Sequence, residues 1–289
     1  MSATDTVAAD SHVDARPETV KMQYQPHRAW YRRADVLVPM ALIALGYLFL
    51  IVAVEEQSFF RTRVTAKGTE NFDWMYFWHL VPLMWQGLQV LIKATVLGFT
   101  IAAGLGFLLA LGRRSTRRYV SWPFAAVIEF IRSTPLLVQL FFAQAYVRAS
   151  DTLSFDPIMI LVIVLGIHYA TYCSEGYRAG INSVPEGQWE AATALNLGPV
   201  TKWTRVIVPQ AVPNVLPALG NYLVAAFKDA PLGYIIGVPE LRFFANTVRG
   251  TDFRPTEPYI LAGVGFLLVS LPAAWAVRRL ERKIAYERT

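Results

Sequence analysis

The sequence predicts an all-α, polytopic membrane protein with six transmembrane helices, and three observations carry that prediction. Of its 289 residues 54% are hydrophobic and only 17% charged, whereas soluble domains carry roughly 25% charged residues. The charge-poor residues gather into runs of about 18 or more, the length at which an apolar helix can cross a bilayer. Short Arg-rich segments separate the runs, so the net charge of +6 reads as orientation in a bilayer rather than as a surface for nucleic acid. Such a composition argues strongly against a soluble enzyme.

Residues 1–35 are polar, mix both signs of charge and carry no apolar period, which predicts a disordered or surface-lying tail. The run from Val36 to Val54 is long enough to span. What precedes it is too long for the basic start of a signal peptide and no A-x-A site follows, so a retained first helix is expected. After a polar, aromatic stretch from Glu55 to His79, five more runs follow: Leu80 to Leu111, Phe124 to Val147, Pro157 to Cys173, Val212 to Val238, and Pro258 to Val277. With loops assigned alternately, seventeen of the 27 Lys and Arg fall on one side, seven on the other and three within runs. The positive-inside rule then puts both termini in the cytoplasm. No convincing internal repeat is present, which disfavours transporters built from inverted repeats. The one cysteine, Cys173, lies in a span and leaves no intrachain disulfide framework.

Between spans four and five the chain is too polar to cross and is patterned like helix. Ser183 and Glu186 form an S-x-x-E capping box, with Pro185 in the first turn, where its missing N–H is harmless. The helix is expected to run through Trp189, Glu190, Ala191, Ala192 and Leu195 and to stop at Asn196-Leu197-Gly198-Pro199, with Asn196 taking the left-handed cap conformation. A second short helix, about Pro199 to Ile207, leads into span five. Together the two make a protruding knob over residues 183–209; an ordinary loop carrying helix signals would read the same way.

Polar residues inside the spans need a reason, because a charge there costs about 2.5 to 3.5 kcal/mol on insertion scales. Lys228 and Asp229 lie in span five. Pro231 removes a backbone donor just after them and pushes Ala230 away from helix, which predicts a discontinuous helix beside the charges. One reading is a site for a zwitterion, Lys228 near the carboxylate and Asp229 near the cation. The other is that both brace span five. Asn221, seven residues before Lys228, falls on nearly the same face. In span four His168, Tyr172 and Glu175 recur at i, i+4 and i+7, a polar stripe on an apolar helix. It either faces a translocation pathway or makes helix–helix hydrogen bonds, with Glu175 paired to Arg178. Glu129 and Arg132 are expected to form an ion pair, and Ser133-Thr134-Pro135 to start a helix. The four histidines, His12, His27, His79 and His168, are scattered, and the sequence contains neither H-E-x-x-H nor G-x-S-x-G. Nor does it contain G-x-x-x-x-G-K-[ST], so no metal or other cofactor is expected and ATP would have to be bound by a partner.

Three segments resemble a known family. Glu190-Ala191-Ala192, three residues, Asn196, nine residues and Val206-Ile207-Val208-Pro209 are similar to the EAA loop, E-A-A-x3-G-x9-I-x-L-P, of ATP-binding-cassette importer permeases. Asn196 stands for Gly, Val206 for Ile and Val208 for Leu. Glu129 to Phe142, reading E-F-I-R-S-T-P-L-L-V-Q-L-F-F, resembles the R-G-T-P-L-L-V-Q signature of the polar amino acid uptake branch. Leu219 to Leu241, running from G-N through Lys228-Asp229 to V-P-E-L, resembles a third block of that branch. The resemblance covers about Leu83 to Glu281, and only the tail and span one look added to the usual five-span type I core. Within the branch, His168 to Tyr172, Tyr177 to Ile181, Ala194 to Leu197 and Pro209 to Leu223 are most similar to ectoine and hydroxyectoine permeases.

The resemblance implies a permease domain over residues 80–283 in a bacterial inner membrane. It implies as partners a cytoplasmic ATPase dimer, a second permease subunit, either a copy or a paralogue, and an extracytoplasmic solute-binding protein. Coupling to the ATPase is implied for Glu190, Ala191, Ala192, Asn196, Gly198 and Trp203. The substrate pathway would involve Lys228, Asp229, Asn221, His168, Tyr172 and Glu175. The cargo would be a polar amino acid or a related zwitterion such as ectoine, with ATPase closure tilting spans four and five. Two other classes use the same residues: an ion-coupled secondary transporter titrating Glu175 or Asp229, and an intramembrane enzyme with His168 as base.

Overall fold

A computed structural model of the chain describes residues 72–286, so the expected tail at 1–35 and the expected helix at 36–54 lie outside the described residues. The helices are α1 (Trp74–Arg113), α2 (Arg118–Ser133), α3 (Leu136–Ala149), α4 (Pro157–Asn182), α5 (Glu186–Ala194), α6 (Pro199–Thr201), α7 (Val208–Asp229), α8 (Leu241–Asp252) and α9 (Thr256–Tyr286). A π-helical turn, Lys202–Ile207, joins α6 to α7, and a 3-10 turn, Ala230–Ile236, follows α7. The described residues contain no strand.

α1 begins at Asp73, whose carboxylate accepts the backbone N–H of Met75 and Tyr76, satisfying two of the four donors a helix start leaves open. It packs along α4 through buried small residues at four-residue spacing, Ala94, Gly98, Ala102, Gly106 and Ala110. At Gly106 a Cβ would stand 2.6 Å from the Cβ of Cys173 and 2.7 Å from the carbonyl oxygen of Ala170. The two backbones therefore touch, the arrangement by which helices associate in lipid, where the tails are as apolar as leucine and give no hydrophobic drive.

The single run expected from Phe124 to Val147 is instead two helices, α2 and α3, meeting at 101°. Pro135 lacks an N–H and drives Thr134 to an extended backbone, φ −103° and ψ 133°, as the residue before proline prefers. The carbonyls this frees find donors. The Thr134 hydroxyl donates to Ile131 at 3.0 Å, and the Gln139 amide donates to the carbonyls of Ile131 at 2.8 Å and Thr134 at 3.0 Å. The helix start read at Ser133-Thr134-Pro135 is where α3 begins, with Pro135 at its N-cap.

α4 runs past Cys173, the expected end of span four, to Asn182. That extension removes the capping box. Ser183 is the C-cap of α4 and donates its hydroxyl to the Gly180 carbonyl at 2.7 Å, while accepting from the Asn214 amide. α5 opens instead at Pro185, with no side-chain cap. α7 continues through Pro213 and Pro217 and gives way at Asp229 to the 3-10 turn, a discontinuity where one is expected, but Ala230 is not pushed away from helix: it keeps φ −54° and ψ −30°, and the change is from α-helical to 3-10 pairing. Gly237, at φ 90°, closes that turn in the left-handed region.

α8 is wedged against α1: a Cβ on Gly87 would stand 2.8 Å from the backbone of Leu241. Glu240 caps α8 and is fully buried, accepting the N–H of Arg242 and of Phe243 at 2.8 Å each. At the same end of the bundle the Asp73 N–H donates to Glu257 at 3.0 Å, the Tyr76 hydroxyl donates to Asp252, and Arg254 meets Glu257 at 3.1 Å.

By length and composition α1, α4 and α9 can each cross a membrane, and the bent pair α2 and α3 makes a fourth crossing if it is one span. α7, with Lys228 and Asp229 at its end, is not among them. The described residues thus give three to four such spans, against five expected among them; the sixth expected span, at 36–54, lies outside the described residues.

Candidate functional site

The knob has a small core of its own. Ile181, Val184, Ile207 and Ala211 are buried together, with Trp189 of α5 and Trp203 of the π turn packed on them. The two indoles meet edge to face at 5.4 Å between centroids, a favoured aromatic geometry. Asn196 stands at φ 52°, and around it the Leu197 N–H bonds the Ala192 carbonyl at 3.1 Å and the Asn196 N–H bonds Thr193 at 2.9 Å. That pair of bonds is a Schellman motif with Asn196 in the left-handed position, as expected. Gly198 is the N-cap of α6. Lys202 donates to Thr193 at 2.8 Å and Gln210 to Gln188 at 3.2 Å, joining the knob's two halves. Ala192 faces inward and is buried. Glu190 and Ala191 face solvent, and Glu186, Trp189, Glu190, Thr193 and Ala194 line a shallow groove on the outer surface.

The polar stripe of α4 is drawn as expected, and each member has partners. His168, 7% exposed, lies with Nδ1 3.2 Å from Oε1 of Gln139. Because that oxygen can only accept, the imidazole donates from Nδ1. The Tyr172 ring lies 5.4 Å from His168, 5.9 Å from Tyr222 of α7, and 5.1 Å beneath the Arg132 guanidinium. Glu175 binds Arg178 at 2.6 Å and Arg113 at the end of α1, with Arg132 at 3.9 Å. The expected pair of Glu129 with Arg132 is therefore corrected: Glu129 is exposed, and Arg132 turns to Tyr172 and Glu175. The i, i+3 spacing allowed the local pair, but the Tyr172 ring offers the Arg132 guanidinium an aromatic face at 5.1 Å, a contact the exposed Glu129 cannot supply.

Asp229 accepts from the Tyr169 hydroxyl at 2.7 Å. Lys228 is exposed, and among the described residues it has no ion-pair partner. Asn221 reaches Glu281 of α9 at 3.3 Å. The proposed pathway residues thus split into a set joined through α4 (His168, Tyr172, Glu175 and Asp229) and two exposed positions on α7, Asn221 and Lys228. The residue-level reading missed Gln139, Tyr169, Arg113 and Arg114. Gln139 had a signal, an amide inside an apolar run, where an unpaired polar group is costly. Tyr169 carried none, since a tyrosine beside a histidine reads as core. Among the described residues no group of His, Cys, Asp and Glu could hold a metal ion.

Residues 102–286 match the family model for the binding-protein-dependent transport system inner membrane component. The chain is 39% identical to a probable amino-acid ABC transporter permease protein, y4tG, of Sinorhizobium fredii, over 73% of this chain and 90% of that protein. It is 31% identical to the glutamine transport system permease protein GlnP of Escherichia coli, over 74% of this chain and 98% of that one. Among solved structures, a crystal structure of an amino acid ABC transporter with histidines superposes with a TM-score of 0.69 at 31% identity, covering 74% of this chain and 100% of that chain.

Proposed function

The chain belongs to the family of binding-protein-dependent transport system inner membrane components and is a permease subunit of an ABC importer, and from that premise we propose that it imports polar amino acids or related zwitterions, ectoine among them. The amino-acid reading rests on the kinds of transporter to which it is similar. Ectoine rests on the likeness of the segments from His168 to Tyr172, Tyr177 to Ile181, Ala194 to Leu197 and Pro209 to Leu223.

The observation that carries the coupling role is the knob: a compact pair of short helices closed by Asn196, with the Glu190 face turned to solvent. Residues 183–209 dock a cytoplasmic ATPase dimer through Glu190, Ala191, Asn196 and Gly198, with Ala192 and Trp203 holding the shape from within. Closure of the dimer tilts α4 and α7, between which the knob is threaded, and so alternates access. A second permease subunit and an extracytoplasmic solute-binding protein complete the assembly. We propose six spans, with residues 1–35 a cytoplasmic tail, 36–54 an added helix and 80–283 the permease domain, and both termini in the cytoplasm by the positive-inside rule. Lys228, Asp229, Asn221, His168, Tyr172 and Glu175 line the substrate pathway. An ion-coupled mechanism is less well supported, since Glu175 is held by Arg113 and Arg178 and Asp229 by Tyr169.

The test is co-purification with an ATPase and ATP-driven uptake in proteoliposomes, for the native chain and for Glu190→Lys. Charge reversal on the outer face changes the dock without touching a span. We expect the native chain to retain the ATPase and the variant to lose it; equal retention and uptake would remove Glu190 from the dock.

A further inference from the structure

The knob is continuous in sequence with α4 and α7, so any displacement of it reaches those two helices directly. α1 has no such link. It ends at Arg113, and Arg114, its C-cap, is held in place by its own helix, its N–H bonding the Ala110 carbonyl at 3.1 Å. The Arg114 side chain leaves α1 and enters the knob. Its guanidinium stands 5.0 Å from the centre of the Trp189 ring and 5.6 Å from that of Trp203. One indole belongs to α5 and the other to the π turn, so the cation sits over the seam of the knob's two halves. Its Nη1 also donates to Oδ1 of Asn182, the last residue of α4, at 3.1 Å.

One side chain therefore touches the end of α4, the first knob helix and the second knob segment. The neighbouring Arg113 is used differently, on Glu175 in the body of α4. A lysine could supply charge at this place but not a planar face for two indoles together with a directed N–H for Asn182.

We propose that Arg114 is a positioning residue for the coupling step: it fastens the end of α1 to the knob, so that a push on the knob is passed to the packed α1 and α4 pair without the knob turning against it. The proposal rests on the reading of the knob as the ATPase dock. Without the clamp the knob still docks, because Arg114 is not among the residues that line the Glu186 and Glu190 groove and reaches only the Trp189 ring at its edge, but it can rock against α1 and waste part of each stroke.

The experiment is the ratio of solute taken up to ATP hydrolysed, measured on the complete reconstituted complex for Arg114→Gln, Arg114→Lys, Trp203→Leu and the Arg114→Gln/Trp203→Leu pair. Arg114→Gln should assemble at native stoichiometry and hydrolyse ATP, with uptake per ATP lower by about threefold, the scale on which a partly exposed cation–π contact biases an equilibrium. Arg114→Lys should not restore the ratio, and the loss in the double variant should fall short of the sum of the two single losses, because both singles remove the Arg114–Trp203 contact. An unchanged ratio in an assembled Arg114→Gln complex, or full additivity in the pair, overturns the proposal. If Arg114→Gln does not assemble, Arg114→Lys decides, since it keeps the charge at the α1 terminus: a native ratio overturns the clamp and a lowered one supports it. Absence of ATP-driven uptake in the native complex would instead overturn the permease-coupling reading on which the clamp depends.

Discussion

Tyr169 donates its phenolic hydrogen to Asp229 across 2.7 Å, fixing the acidic member of the Lys228-Asp229 pair to α4 while the basic member stays without an ion-pair partner among the described residues. Two adjacent charges at the end of α7 are thus handled differently, one tethered and one offered.

Replacing Tyr169 by Phe removes the tether and keeps the ring. Asp229 would be left half-buried with one donor fewer, a loss of about 1 to 3 kcal/mol. The assembled complex should inactivate at a lower temperature, and Asp229→Asn in the same background should recover part of the loss, because an amide is cheaper to leave unpaired than a carboxylate. An inactivation temperature equal to that of the native complex would show that the bond contributes nothing.

Lys228→Met keeps the length and apolar stem of the side chain and removes its charge and three donors. If Lys228 receives the substrate carboxylate, assembly should survive and uptake of zwitterions should be lost. Stimulated ATP hydrolysis, read on the same preparation, separates this from a bracing role, in which assembly would suffer and the surviving complexes would still respond to solute. A well-assembled, fully stimulated variant would take Lys228 out of the pathway.

Asn196 sits at φ 52°, where a residue with a Cβ pays roughly 1 to 2 kcal/mol unless it is Asn or Asp. Asn196→Gly should leave ATPase co-purification and uptake near native, whereas Asn196→Val should depress both by opening the Schellman closure. Indistinguishable variants would mean that the knob does not need this cap.

Glu240 lies after span five, and burial pushes its carboxyl up to about 7, against the pull of the Arg242 and Phe243 N–H groups. A carboxyl raised in the folded state binds its proton there between about pH 4.5 and 7, where the unfolded chain has already released it. Its contribution is therefore full below pH 4.5 and lost as the pH rises through 7. Heat inactivation should occur at lower temperature at pH 8 than at pH 6, and Glu240→Gln should flatten that dependence. A Glu240→Gln complex with the native slope would assign the dependence to other groups.

Much of this is legible in the sequence. Composition and run length gave the all-helical membrane class, and Asn196 before Gly198-Pro199 marked the end of the first knob helix. Pro231 after Lys228-Asp229 marked the change from α-helix to 3-10 turn. What was not legible turned on tertiary neighbours. Ser183 suits a helix start and a helix end equally well; α4 claims it because Gly180 packs so closely on α7 that a Cβ there would stand 2.3 Å from Val215, prolonging the helix. Arg132 had Glu129 at helical spacing, but Glu175 and Tyr172 of α4 lie within its reach and take it. α4 outlasts its apolar run because Ser174, Glu175 and Arg178 find partners. Pro135 announced a break in span three; its 101° angle depends on what fills the gap.

The filler is Gln139, and its two ends face different parts of the chain. The amide nitrogen serves Ile131 and Thr134, which are already present when α2 and α3 have been synthesised. The amide oxygen meets His168, which is made some thirty residues later. During biogenesis the break can thus be sealed from within, so that the nascent helix pair enters lipid with the Ile131 and Thr134 carbonyls already bonded before its neighbour has left the ribosome. The incoming helix then finds an acceptor already aimed at it, and the order of synthesis becomes the order of assembly.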